Sequence, residues 1–152
     1  MSCAVRVRVS QGVPGPPGAD GDGSGSSITM QTDSDVIPGT PIYVTNLARL
    51  EIAQASGLPQ ARMVGIVTSA TLAGFAADAQ TQDVLTLTTG QWDAVTGGTG
   101  GLTPGSVYYL SATAGELTTT PPATPASVYN TRAGIAISST QLDIKIRAPF
   151  KL

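Results

Sequence analysis

From Ile28 onward the chain consists of short β-branched runs divided by turn residues, and this pattern confines it to an all-β body, a small β-sandwich or barrel spanning residues 28–152. Strands are expected near Ile28–Thr32, Ile42–Asn46, Arg49–Ala53, Met63–Thr68 and Ala76–Thr81, then near Val84–Thr88, Val107–Ser111, Glu116–Thr119, Ala133–Ser138 and Gln141–Arg147. Pro38-Gly39 and Pro104-Gly105 suit type II turns, with glycine taking the positive φ that other residues resist. Each precedes an apolar run, Pro41–Val44 and Val107–Leu110, so the two pairs suggest similar corners, although the shared identity is too short to establish a repeat. Ala112–Gly115 and Ser138–Thr140 read as hairpin turns. The best helix candidate is Thr89–Val95, one or two turns begun by a threonine cap and stopped by Gly97-Gly98, with Trp92 pinning it to the core. Leu72–Ala77 reads as a loop or bulged connection around Gly74.

The residues ahead of this body differ in kind. Within residues 1–11, Ala4–Val9 alternates strictly, placing Val5, Val7 and Val9 on one face of an extended strand and Arg6 and Arg8 on the other. Residues 12–27 follow with glycine at every third place, Gly12, Gly15, Gly18 and Gly21, and proline or small polar residues between them. That is collagen register, in which three chains meet at an axis where only glycine fits. Such a short block would hold only if a neighbouring domain already trimerises. The alternative is a stiff Pro/Gly linker. Gly23–Ser27 then forms a flexible joint.

Composition narrows the function. Charged residues make up 12% of the chain, against ~25% in a typical soluble domain. Eight Lys and Arg against ten Asp and Glu give a net charge of −2, with the basic residues scattered along the sequence. Nucleic acid is therefore not an expected partner. Apolar runs fall short of the roughly 18 to 20 residues that cross a bilayer, so no membrane span is expected. Residues 1–10 alternate valine with charge and do not form a signal-peptide core. A soluble, cytoplasmically made protein is the expectation. Cys3 is the only cysteine, so no intrachain disulfide can form, and no Cys/His set has zinc spacing.

The chain has no histidine, which removes the usual general base and the Ser-His and Cys-His nucleophile systems. Catalysis would rest on carboxylates, and the closest sets, Asp33 with Asp35 and Asp78 with Asp83, lack flanking aromatics to bind a sugar or raise a pKa. Asp20–Gly25 opens like a calcium loop, but Gln31 stands where the bidentate glutamate belongs and Ser27 where an apolar residue belongs. Gly97–Gly101 lacks the lysine of a phosphate-binding loop. No catalytic residue, metal or cofactor is expected. Tyr43, Tyr108, Tyr109 and Tyr129 could line a sugar-binding surface, but adjacent Tyr108 and Tyr109 must face opposite ways, one to the core and one to the surface or a subunit interface.

The series Gly101–Ser111, Gly115–Thr119 and Arg132–Ser138, with Pro38–Tyr43, Val64–Ile66 and Leu85–Trp92, resembles the C-terminal β-domain of tailed-bacteriophage head fibre, head decoration (cement) and some tail-fibre proteins. The similarity covers most of residues 35–147, and the collagen-like block is likewise similar to segments of phage fibres. The resemblance implies a non-enzymatic homotrimer on the capsid exterior of the virion, assembled in the host cytoplasm. Its major partner would be the major capsid protein, anchored by Val5, Arg6, Val7, Arg8 and Val9 as a strand added to a sheet edge. Gly12, Gly15, Gly18 and Gly21 would serve trimerisation. A tail-fibre or adhesin tip binding a host-surface receptor, with a glycan as partner, stands as the alternative.

Overall fold

The computed structural model describes residues 26–123 and 128–151. The expected anchoring strand, the collagen-like block and the joint up to Gly25 lie outside the described residues.

Both Pro-Gly pairs make the same turn. Gly39 and Gly105 hold φ of +93° and +81°, and Thr40 N–H and Ser106 N–H close the turns on the Ile37 and Thr103 carbonyls, each at 3.1 Å. Proline presets the first central residue and glycine accepts the second. Each turn launches an apolar strand, β2 (Pro41–Val44) or β7 (Val107–Leu110). β2 turns back into β3 (Leu50–Ile52), and β7 into β8 (Leu117–Thr118).

The likeness extends well beyond the corners. In the first half, β2 pairs with β4 (Met63–Val67), β4 with β5 (Ala76–Gln80), and β5 with β1 (Ser27–Gln31), giving the order β1-β5-β4-β2-β3. In the second, β7 pairs with β10 (Arg132–Ala136), β10 with β11 (Gln141–Ile144), and β11 with β6 (Asp83–Thr86), giving β6-β11-β10-β7-β8. Order and chain connectivity are the same, and all these ladders are antiparallel. The registers agree residue by residue: Ile42 faces Gly65 and Tyr108 faces Gly134, and one residue on the partner strand, Val64 or Ala133, is then skipped. These bulges, which bend a strand and sharpen its twist, sit at the same place in both halves. One five-stranded unit is therefore folded twice, over residues 27–80 and 83–144.

Few identities survive between the units; Tyr43/Tyr109 and Ile66/Ile135 hold matching register positions, and the proline and glycine identities have local causes. Pro38/Pro104 and Gly39/Gly105 make the corners. Gly65 and Gly134 stay glycine because a Cβ on Gly65 would lie 2.8 Å from the Gln80 carbonyl oxygen, and one on Gly134 would collide with that of Asp143.

The units close differently. Thr32, just past β1, makes a parallel bridge to Leu50, and Asp33 N–H donates to the Leu50 carbonyl at 3.0 Å. The edges of the first sheet thus meet, and it becomes a small barrel filled by Ile42, Leu50, Val67, Ala77 and Ala79, with Ile28 and Met30 against them. In the second unit β6 gives way to α2 (Thr89–Thr96), which packs near β8. Thr88 caps this helix: its hydroxyl accepts from Gln91 N–H at 3.2 Å, while its own N–H donates to Gln91 Oε1 at 2.9 Å. Gly97, left-handed at φ +67°, ends it. Trp92 is fully buried and its indole N–H donates to the Thr140 carbonyl at 3.0 Å. The second core takes in Ala53, Ala55, Met63 and Ile66 of the first unit, so the two units share it. The Ala53–Ala55 segment stitches them further, with Ala55 N–H on the Ser111 carbonyl and Tyr129 N–H on the Ala55 carbonyl.

The all-β body expected from the sequence is the observed one, and the ten expected strands are all present. The helix falls over Thr89–Thr96 with Thr88 as its cap. Leu72–Phe75 is a turn around Gly74, while Ala76 and Ala77 begin β5. Three further elements had no periodicity to betray them: the single turn α1 (Leu58–Ala61), started by proline, and the two-residue strands β9 (Tyr129–Asn130) and β12 (Phe150–Lys151), which pair with each other.

Gly65→Ala and Gly134→Ala should each destabilise the protein by about 1–3 kcal/mol, since backbone must move to admit the methyl group. Gly90→Ala, in α2 with open space at the Cβ position, should stabilise it by up to about 1 kcal/mol. Denaturant unfolding separates the two outcomes.

Candidate functional site

The anchoring residues Val5, Arg6, Val7, Arg8 and Val9, the trimerisation glycines Gly12, Gly15, Gly18 and Gly21, and the Asp20–Gly25 loop lie outside the described residues.

The conspicuous carboxylates inside them serve the fold. Asp33 pairs with Arg49 at 2.8 Å, and Asp35 accepts from Ala73 N–H at 2.8 Å, holding the β4–β5 loop. Asp78, on β5, accepts from the Thr29 hydroxyl across the β1–β5 ladder, whereas Asp83 opens β6 in a left-handed conformation at φ +68°. Each pair read from sequence is thus divided between separate structural tasks. Among the described residues no three Asp, Glu or Cys side chains group closely enough to hold a metal ion.

The glycine-rich loop does form an anion cradle, and its anion is internal. Gly100 N–H and Gly101 N–H donate to the Asp93 carboxylate of α2 at 3.0 and 2.7 Å. Successive left-handed glycines point their amides to one side, the geometry that elsewhere receives phosphate. Here it ties the helix to the strand that follows.

The tyrosines divide as the alternation requires. Tyr108 is buried and its hydroxyl accepts from Thr103 N–H at 2.9 Å, while Tyr109 lies on the opposite face. Tyr43, the counterpart of Tyr109 in the first unit, packs against the shared core and borders a hollow of about 570 Å³ with Asn46, Pro59 and Arg62. Burial raises its phenol pKa above the ordinary 10.0, and the negative charges of Glu51 and Asp33 add to the effect.

The second unit carries a hollow of different character. β12 pairs antiparallel with β9, placing Phe150 opposite Asn130. Between them and β10 lies an opening of about 300 Å³ lined by Tyr109, Asn130, Arg132, Arg147, Ala148 and Phe150. Arg147 N–H donates to the Arg132 carbonyl at 3.1 Å, which brings the two arginines side by side. Neither meets a carboxylate among the described residues, whose two ion pairs are Arg49–Asp33 and Lys145–Asp143. Arg132 Nε is buried and has no hydrogen-bond partner. Sequence reading missed this site because its two cations stand fifteen positions apart in a chain whose basic residues look dispersed. No protein-family model matches the chain, and no curated protein matches it in sequence.

The raised Tyr43 pKa carries a sign. As pH climbs past about 10 the unfolded chain releases this proton before the folded one does, so stability that is intact below that pH is lost above it. Tyr43→Phe should remove this part of the alkaline loss, giving a shallower fall in unfolding free energy above about pH 10 than the wild type shows.

Proposed function

We propose that the chain is a non-enzymatic virion structural protein of a tailed bacteriophage, a homotrimeric head fibre or capsid decoration protein bound to the major capsid protein through its N-terminal arm. The observation that carries this reading is the order of parts along the chain: an alternating Val/Arg segment, glycine at every third place, a joint, and then a β-rich body. The residues responsible for the phage-protein resemblance supply the corners, bulges and glycine contacts of the doubled unit, which is what a scaffold requires. The carboxylates and the glycine cradle that would be natural starting points for chemistry are engaged inside that scaffold.

In this reading Ala4–Val9 adds to a sheet edge of the capsid protein, where backbone hydrogen bonds set the register and Arg6 and Arg8 meet acidic groups. Three arms on one trimer reach three neighbouring subunits, so modest single contacts combine through high effective concentration. A tail-fibre or adhesin tip is the second reading, favoured by the arginine-lined hollow on the second unit.

Removing Met1–Gly25 should leave a folded body, since the two cores are built from later residues, but abolish binding to particles. Retained binding would place the anchor elsewhere. The full chain should sediment as a trimer, and a strictly monomeric species at micromolar concentration would overturn the model. Gly15→Ala combined with Gly18→Ala should lower the melting temperature of the N-terminal segment if it is a triple helix, whereas an unchanged melt would establish the plain linker.

A further inference from the structure

We infer that the hollow between β9, β10 and β12 is a binding site for an acidic sugar, a hexuronic acid unit of an anionic glycan, gripped through its carboxylate by Arg132 and Arg147. The inference applies to a decoration protein and to a fibre tip alike, so it does not depend on which reading of the chain holds.

Three observations converge. First, Arg132 lines the hollow and its buried Nε has no acceptor among the described residues, so none of their anions engages that edge of the guanidinium. Second, Arg147 is held beside it by the 3.1 Å backbone bond to Arg132, and neither guanidinium has a carboxylate among the described residues. A carboxylate accepts two parallel N–H groups from a guanidinium, so this pair of forks presents the donors that such an anion needs. Third, the remaining lining suits a ring rather than a bare ion. Tyr109 offers an aromatic face, Phe150 is 57% exposed beside it, and Asn130 brings an amide that can donate to and accept from hydroxyls.

The dimensions and the charge fit the same ligand class. An opening of about 300 Å³ admits one sugar ring with its substituents and is at the small end of ligand pockets. A chain of net charge −2 with eight basic residues offers no extended cationic track for a polyphosphate backbone. A neutral sugar brings no charge to pair with the two guanidinium groups, so the acid group is what separates this site from a generic aromatic platform. Acidic peptides share the carboxylate but not the ring, which makes them the natural control.

The test is a titration of the full-length protein followed by backbone amide resonances. Sodium glucuronate should shift the amides of Tyr109, Asn130 and Arg132 with a Kd of about 1 mM or tighter. Glucose, inorganic phosphate and an N-acetylated glutamate amide should each bind at least about tenfold more weakly. Arg132→Gln and Arg147→Gln should each weaken glucuronate binding about tenfold or more, while Arg62→Gln, at the other hollow, should leave it unchanged. Arg147→Gln keeps its backbone bond to Arg132, so it carries the test if Arg132→Gln does not fold. Glucose binding as well as glucuronate, phosphate equalling it, the glutamate amide exceeding it, or an unaffected Arg147→Gln would each overturn the assignment.

Discussion

The architecture hangs on a pair of reciprocal backbone hydrogen bonds at each Pro-Gly corner. Gly39 N–H donates to the Val67 carbonyl and Val67 N–H returns a bond to the Thr40 carbonyl, both at 2.9 Å; Gly105 and Ala136 repeat the exchange through Ser106 at 2.8 and 3.0 Å. These bonds clamp the turn onto the far end of the strand that its own strand will join. The register of β2 against β4, and of β7 against β10, is thereby held by the backbone as well as by side-chain packing. A shift by one residue would turn Ile42 or Tyr108 outward and put its neighbour in the core, so the corner also decides which face is apolar.

With the corner fixed, the two units were free to diverge elsewhere, and the interiors show how. The first barrel is filled with small residues on β5, Ala77 and Ala79, and its edges draw together until Thr32 bridges to Leu50. In the second unit Leu142 occupies the register position of Ala79, and Leu85 that of Ile28. No bridge joins its edge strands among the described residues, and α2 packs near β8 with Trp92 and Val95 in the core. The contact between units is close: a Cβ placed on Gly39 would lie 2.9 Å from Val95 Cγ2, so the first unit's corner sits directly beneath the second unit's helix.

What could be read in advance follows from this division. Strands announce themselves through period two, and the helix over Thr89–Val95 through its threonine cap and the Gly97-Gly98 stop, because those signals are local. The duplication was legible only as the two Pro-Gly pairs, since the other identities are isolated residues and most remaining equivalences are of register and hydrogen bonding, which many sequences satisfy. β9 and β12 were illegible because two residues have no period. The Arg132–Arg147 hollow was illegible because it depends on β12 pairing back onto β9, a long-range event that no spacing records. The glycine-rich loop could be seen to lack a lysine, but not that Asp93 would occupy its amides.

The duplication also explains why the cationic hollow lies where it does. In this tandem the outer face of β4 packs into the core shared with the second unit, whereas the matching face of β10 is partly exposed. The residues follow this asymmetry. Met63, opposite Tyr43, is buried in the shared core, and its register counterpart opposite Tyr109 is Arg132. Ile66 is fully buried, while its counterpart Ile135 is only partly so. An uncovered apolar face would invite indiscriminate association. Arginine at that one position makes the face compatible with water, and with Arg147 alongside it makes the face selective for a ligand that brings negative charge.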